Sequence, residues 1–177
     1  MSRLRNSILI HHFATLTTFR AGFVDSHVSA ARLHGLYLWQ ADDFIHLTQA
    51  GKPSSIGFGK YTRVHSRALG PEETMTIDRV RVTTLERTVI DCCLTMHYRQ
   101  ALILTDHALR LGASLSKLLA EAEKLRTHRG IRTLRKVLRN ANGRSESPGE
   151  TLARDLMREL LIEMSELQLW ISTRLGR

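Results

Sequence analysis

The spacing of apolar residues along the chain changes from helical to strand-like and then back to helical. Near the N-terminus the helical spacing predicts an amphipathic helix, whose apolar positions are Ile8, Leu9, Phe13, Leu16 and Phe19. A short helix is predicted over residues 27–34. Asp25 or Ser26 can cap its start, and Gly35 lies where a helix often ends in a left-handed residue.

The middle of the chain carries short runs typical of β-strands. Residues 44–48 and 61–68 are two such runs, separated by a loop rich in Gly, Pro and Ser, and together they predict a hairpin or meander. Residues 75–84 predict a further strand or strand pair. Its alternation places Val80 and Val82 on one face and Arg79 and Arg81 on the other.

After Thr84 the pattern is helical almost to the end, in five segments punctuated by Gly112, Gly130 and Gly143. Strands therefore cluster in one part of the chain and do not alternate with helices. This order predicts an α+β fold, with a small, mostly antiparallel sheet and a helical C-terminal half.

The last of these helices has a clear start signal. Ser147 is a suitable N-cap, Pro148 suits the first helical position, and Glu150 can close a capping box. Behind this cap an apolar face, which needs cover, consists of Leu152, Leu156, Leu160 and Met164. We expect self-association through this face if nothing in the chain covers it.

Composition favours a globular protein with polyanionic partners. The 177 residues are 42% apolar, and 26 Lys and Arg against 17 Asp and Glu give a formal charge of +9. Cys92 and Cys93 are adjacent in an apolar run, which indicates buried thiols in a reducing, cytoplasmic compartment. The chain has no apolar stretch of membrane-spanning length, so no membrane partner is expected.

Two groups of polar residues are candidates for chemistry. Arg87 and Asp91 are four residues apart on one helix, which favours a structural ion pair, and no nucleophile accompanies them. The nine histidines contain no H-E-x-x-H motif. His27 and His34 lie about two helical turns apart, too far to share an ion without a third ligand. We therefore predict no catalytic residue, no metal site and no cofactor.

A cationic face is predicted on the helix that starts at Ile131. Arg132, Arg135, Lys136 and Arg139 recur at i, i+3, i+4 and i+7, opposite the apolar residues Ile131, Leu134 and Leu138. This face either contacts nucleic-acid phosphates or is simply a solvated charged surface. Nothing beside it is suited to base readout. The predicted nucleic-acid-binding residues are Arg129, Arg132, Arg135, Lys136 and Arg139.

Four segments together resemble AbiEi-type antitoxins of bacterial type IV toxin–antitoxin systems. They are "SHVSAARLHGL" (26–36), "VTTLERTVIDCC" (82–93), "LTDHALRLG" (104–112) and "RGIRTLRKVLRNANGRSESPGETLARDLM" (129–157). The resemblance implies an antitoxin-like α+β domain over residues 23–144, preceded by a helix over residues 1–22. Residues 145–177 resemble the first helix of a very-short-patch-repair endonuclease domain, here truncated. The 22 leading residues are too few for the winged helix that many such proteins carry.

The endonuclease resemblance implies a carboxylate at Glu150, but the metal-binding acidic residues that should follow are missing from "ISTRLGR". Glu150 is therefore interpreted as a capping residue. The functional expectation is a non-catalytic, AbiEi-antitoxin-like protein that acts in regulation, with duplex DNA and a cognate toxin as partners. Two alternatives remain open: a truncated endonuclease, and a module that only binds other proteins.

Overall fold

The computed structural model describes residues 22–50 and 60–160. The strands are Val24–Asp25 (β1), Ile45–Gln49 (β2), Thr62–Ser66 (β3), Thr74–Ile77 (β4) and Val80–Thr83 (β5). The helices are His27–Leu33 (α1), Leu85–Thr95 (α2), Tyr98–Arg110 (α3), Leu115–Lys124 (α4), Ile131–Asn140 (α5) and Pro148–Glu159 (α6), and a 3-10 turn covers Pro71–Glu73. The helix predicted before residue 22, and Met164, lie outside the described residues.

The α+β class is confirmed, with a five-stranded sheet followed by a helical C-terminal half. The strand order is β3-β2-β1-β5-β4. The β1/β2 and β4/β5 pairs are antiparallel, whereas β1/β5 and β2/β3 are parallel. The expectation of a mostly antiparallel sheet is therefore wrong, because the sheet is mixed. Its central strand, β1, spans two residues and is too short to show any periodicity.

The hairpin predicted between β2 and β3 is also wrong, because these strands pair in parallel, with Ile45 opposite Thr62 and Gln49 opposite Ser66. A parallel pair needs a connection of about a dozen residues to return to its starting end. Residues 50–61 are long enough for this return.

Strands β4 and β5 form the hairpin of this sheet. Its turn residues Asp78 and Arg79 have φ values of 48° and 68°, the left-handed conformation that a two-residue type I′ turn requires. Val80 and Val82 are buried and Arg81 is exposed, as predicted, while Arg79 lies in the turn and not on a strand face.

All five helices predicted after Thr84 are confirmed. Helix α2 forms the centre of the helical half, where it contacts α1, α3, α4 and α5. The thiols of Cys92 and Cys93 are buried in this core, and burial raises the pKa of Cys93 to about 12. Both cysteines therefore act as small apolar residues, as predicted. Ala30 of α1 packs against Val80 and Val82, which joins the helices to the sheet.

Helix α5 starts at a glycine that no other residue could replace without strain. Gly130 has a φ of 86°, and a Cβ at this position would clash with the backbone carbonyl of Leu94, at the end of α2. This close approach seats the start of α5 directly on α2.

Helix α6 begins as predicted, since the Ser147 Oγ accepts the Glu150 N–H at 3.2 Å. The Glu150 carboxylate accepts the N–H of Glu146, at 2.9 Å, and not that of Ser147, so the capping box is shifted by one residue. The buried side chains of α6 are polar: Thr151, Arg154 and Asp155. Of the predicted apolar face, Leu156 and the C-cap residue Leu160 are 50% and 59% exposed, while Leu152 is partly buried.

Within residues 22–50 and 60–160, none of the helices combines the length and the apolar character needed to cross a lipid bilayer.

Candidate functional site

The cationic stripe (Arg132, Arg135, Lys136 and Arg139) follows the outer face of α5, as predicted. On its opposite face, α5 buries Leu134, Val137 and Leu138, and these residues anchor the helix in the core. Arg132, Lys136 and Arg139 are exposed and Arg135 is partly buried. Together with Asn140 the stripe lines an open groove of about 630 Å³. Four side chains that can carry positive charge therefore face one concave surface.

Few acidic groups approach this surface. In the described part of the chain, Arg135 is the member of the stripe that has an ion pair, at 3.8 Å from Glu123. The Lys136 Nζ lies 3.9 Å from the centroid of the Tyr98 ring, and the Arg139 Nε donates to the Arg135 carbonyl at 3.4 Å. The last two contacts orient Lys136 and Arg139 without a carboxylate to neutralise their charge. The groove is therefore electropositive.

Beside the Asn140 end of the groove lies a residue that sequence reasoning did not include. Arg158 of α6 is exposed and donates to the Asn140 Oδ1, while the Asn140 Nδ2 donates to the Tyr98 hydroxyl at 2.8 Å. The periodicity of α5 carries no signal for this neighbour on another helix. Arg129, which was predicted to bind nucleic acid, is exposed before α5 and does not line the groove.

The predicted ion pair of Arg87 and Asp91 is confirmed and belongs to a larger cluster. The Arg87 Nε donates to both Asp91 oxygens at 3.0 Å, and the Arg67 Nη1 donates to Asp91 at 2.8 Å. The Arg87 Nη1 also donates to Glu73 at 2.6 Å. These contacts connect α2 to the end of β3 and to the 3-10 turn, so the cluster fastens the sheet to the helical core.

This charge cluster borders a cavity of about 520 Å³ between the 3-10 turn and α4. Burial tends to raise the pKa of Glu73, but hydrogen bonds from the Gly70 N–H and from Arg87 lower it below its ordinary value. Glu73 is thus held as a carboxylate. The described residues that line the cavity include carboxylates and lysines, such as Glu72, Glu73 and Lys117, but no Cys, Ser or His.

The second polar site of the fold is a histidine cluster (His27, His46 and His65), in which His27 and His46 are buried and His65 is partly buried. The His27 and His65 rings stack with centroids 3.6 Å apart, and the His46 and His65 centroids are 5.1 Å apart. The His46 Nδ1 and the His65 Nε2 are hydrogen-bonded at 2.9 Å. His34 is not part of this cluster, since its Nε2 contacts the Thr83 carbonyl at 2.8 Å.

Two of these rings form hydrogen bonds with polar side chains outside the cluster. The Ser26 Oγ is hydrogen-bonded to the His27 Nδ1 at 2.9 Å, and the Asp42 Oδ1 to the His46 Nε2 at 3.0 Å. Burial lowers the pKa of His27, His46 and His65, and the pKa of His65 falls to about 4. The cluster is therefore a set of neutral imidazoles at neutral pH.

The parallel register of β2 and β3, which the sequence did not predict, brings two of the three histidines together. Residues that pair across a parallel sheet point to the same face, and His46 pairs with Arg63 while His65 pairs with Thr48. Parallel register thus makes His46 and His65 diagonal neighbours on one face. The third, His27, begins α1 directly after the central strand, and its approach depends on the tertiary fold.

Comparison of the chain with family models finds no match, and comparison with curated proteins finds none either. The geometry of the residues therefore carries the functional argument.

Proposed function

We propose that the chain is a non-catalytic, AbiEi-antitoxin-like protein of the bacterial cytoplasm that binds duplex DNA through the cationic stripe and acts in toxin–antitoxin regulation. The observation that supports this most is the groove on α5. Arg132, Lys136 and Arg139 are exposed there without a carboxylate partner among the described residues. A surface of this kind is suited to a polyanion.

The dimensions of the stripe fit a nucleic-acid backbone. Arg132 and Arg139 are seven residues apart on one helix, about 10 Å along its axis. A strand of B-DNA advances about 3.4 Å per nucleotide, so this length matches about three consecutive phosphates. Arg158 extends the positive surface at the Asn140 end. Neutralising these phosphates releases condensed counterions, which supplies the binding free energy.

The same surface argues against recognition of a base sequence. Asn140 is the amide in the groove, and both of its polar atoms are already held, by Tyr98 and by Arg158. The stripe itself offers charged donors, which contact phosphates well but carry no sequence information there. We therefore expect weak binding that depends little on sequence and steeply on salt.

Charge reversal on the stripe tests this proposal. Arg132→Glu, Arg135→Glu and Arg139→Glu together should abolish binding of a duplex oligonucleotide at low salt, measured by fluorescence anisotropy. The matched control is Lys60→Glu, Arg79→Glu and Arg81→Glu, which changes the net charge equally at exposed positions near the sheet. If the triple variant still binds, the slope of log K against log salt should be smaller in magnitude by about 2 to 3 than in the unmodified protein.

Two outcomes would contradict the proposal. Unchanged binding in the stripe variant would place the DNA contact elsewhere, and equal losses in both variants would mean that net charge alone drives association. Circular dichroism of each variant checks that the fold survives. Absence of binding in the unmodified protein would favour the alternative of a protein-interaction module.

A toxin or a second copy of the chain remains a second kind of partner, because α6 exposes Leu156 and Leu160. The endonuclease alternative has less support. The carboxylate of Glu150, the residue that the endonuclease resemblance implies, already accepts the N–H of Glu146.

A further inference from the structure

The geometry points to a binding site for a divalent transition-metal ion, with Zn²⁺ as the best match, at the histidine cluster. Each of His27, His46 and His65 offers one ring nitrogen, and the three nitrogens lie within 4.8 Å of one another. Three imidazoles are a common ligand set for zinc. The inference revises the sequence-based expectation that the histidines hold no metal.

The distances are close to those of a tetrahedral site. With metal–nitrogen bonds of about 2.0–2.1 Å, ligand nitrogens around a tetrahedral zinc lie about 3.3 Å apart. The His46 Nδ1 and the His65 Nε2 are 2.9 Å apart, so this pair has to open slightly. The third nitrogen lies no more than 4.8 Å from the other two. It has to approach them by up to about 1.5 Å through side-chain rotation.

The hydrogen bonds around the cluster leave suitable nitrogens free for a metal. Asp42 holds the His46 Nε2, which leaves the Nδ1 lone pair directed toward His65. Ser26 holds the His27 Nδ1 and leaves the Nε2 of that ring. A carboxylate behind a ligand histidine is the usual second layer of a zinc site, where it fixes the tautomer and raises ligand basicity. When the metal binds, the hydrogen bond between His46 and His65 is lost. The proton of that hydrogen bond can then reside on the His65 Nδ1.

Both acidic and basic side chains lie near the histidine cluster, and this combination favours one type of metal ion over others. Asp42 supplies a negative charge at His46, and Arg63 lies 2.9 Å from that carboxylate. Arg67 and Arg87 approach His27 and oppose a cation there, as Arg32 does at His46. Neutral imidazoles beside several cations suit Zn²⁺ better than Mg²⁺ or Ca²⁺, which need carboxylate or carbonyl oxygens.

The backbone at His27 supports a functional placement of its ring. His27 has a φ of 49°, a left-handed conformation that is uncommon outside glycine. Ser26 anchors this bend, since its N–H donates to the His46 carbonyl at 3.0 Å and its Oγ accepts from Thr48 at 2.7 Å. The result stacks the His27 ring on His65. Residues whose strained backbone is fixed by the surrounding structure are often found at ligand sites.

The test uses the full chain with His11→Ala and His12→Ala, because this adjacent pair could bind metal on its own. After treatment with a chelator, the protein is titrated with Co²⁺ and with Zn²⁺. We expect one ion per chain, visible Co²⁺ absorption of a four-coordinate nitrogen site, and a higher melting temperature with Zn²⁺. His65→Ala should lower the affinity at least tenfold, whereas His128→Ala, which removes an exposed imidazole, should not.

Asp42→Asn gives an independent readout, with an expected 10- to 100-fold loss of affinity from a weakened second layer. If His65→Ala does not fold in the metal-free state, His65→Gln replaces it, because it keeps a side chain of similar size. No saturable binding, or equal affinity in the His65 and His128 variants, would overturn the inference. The cluster would then be a metal-free set of stacked histidines.

Discussion

Helices α5 and α6 both pack on α3, but they contact the core with opposite kinds of face. Helix α5 buries Leu134, Val137 and Leu138 and exposes its cations. Helix α6 buries Thr151, Arg154 and Asp155 and exposes Leu156 and Leu160. An amphipathic pattern alone therefore does not decide which side of a helix meets the core.

The difference arises from α3, which presents a buried carboxylate to α6. Asp106 accepts hydrogen bonds from the Thr151 hydroxyl at 2.8 Å and the Asn142 N–H at 2.7 Å, and it forms an ion pair with Arg154. Burial raises the pKa of Asp106, and these partners oppose that shift. An unpaired buried carboxylate would cost more than the partial exposure of two leucines.

A second contact beside Asp106 strengthens this docking. The Tyr98 hydroxyl of α3 donates to the Asp155 carboxylate of α6 at 2.7 Å. Burial and this hydrogen bond raise the pKa of Tyr98 to about 12, so the hydroxyl remains a donor. Helix α6 is therefore integrated with α3 through its polar face. Removing it would leave Asp106 and Tyr98 without these partners.

The largest loss of stability is expected from breaking the buried ion pair between Arg154 of α6 and Asp106 of α3. Arg154→Ala should lower the free energy of unfolding by about 3–5 kcal/mol, because it leaves Asp106 buried beside an empty space. Chemical denaturation measures this change. Arg158→Ala, an exposed change one turn later on the same helix, is the control and should cost less than about 1 kcal/mol. Similar values for both variants would mean that α6 is not held by its polar face.

The matching change on α5 removes apolar contacts. Leu134 is fully buried against the core, and Leu134→Ala should cost about 2–5 kcal/mol through lost burial and the cavity left behind. The same denaturation experiment on Leu156→Ala, on the exposed side of α6, should show a change below about 0.5 kcal/mol. A large loss from Leu156→Ala would show that its side chain is covered, and the contrast between the helices would then fail.

Local spacing was enough to predict α5 and its cationic stripe, since residues three, four and seven apart share one helical face. It also predicted the Arg87–Asp91 pair and the Ser147 cap. The docking of α6 was not predictable in this way. Its decisive partner, Asp106, is 45 residues from Thr151 in sequence.

Non-local pairing also hid part of the sheet and the histidine cluster. The two-residue strand β1 has no periodic signal, and the parallel pairing of β2 with β3 depends on a return connection. Without that register, His46 and His65 cannot be placed on one face. The approach of His27 further requires the bend at the start of α1. Both the polar docking and the cluster thus arise from contacts between distant segments.

The smallest effect on stability, but a distinct one on association, is expected at the exposed side of α6. Leu156→Glu should leave the unfolding transition nearly unchanged, because its side chain is already half exposed. If this face joins two copies of the chain, the same change should convert a dimer into a monomer in light scattering, because a buried carboxylate has no partner there. Thr127→Glu adds the same charge at an exposed position outside α6 and should leave the dimer intact. A mass that is equal in all three proteins would leave these leucines without a role in self-association, and a cognate toxin would be the partner to test next.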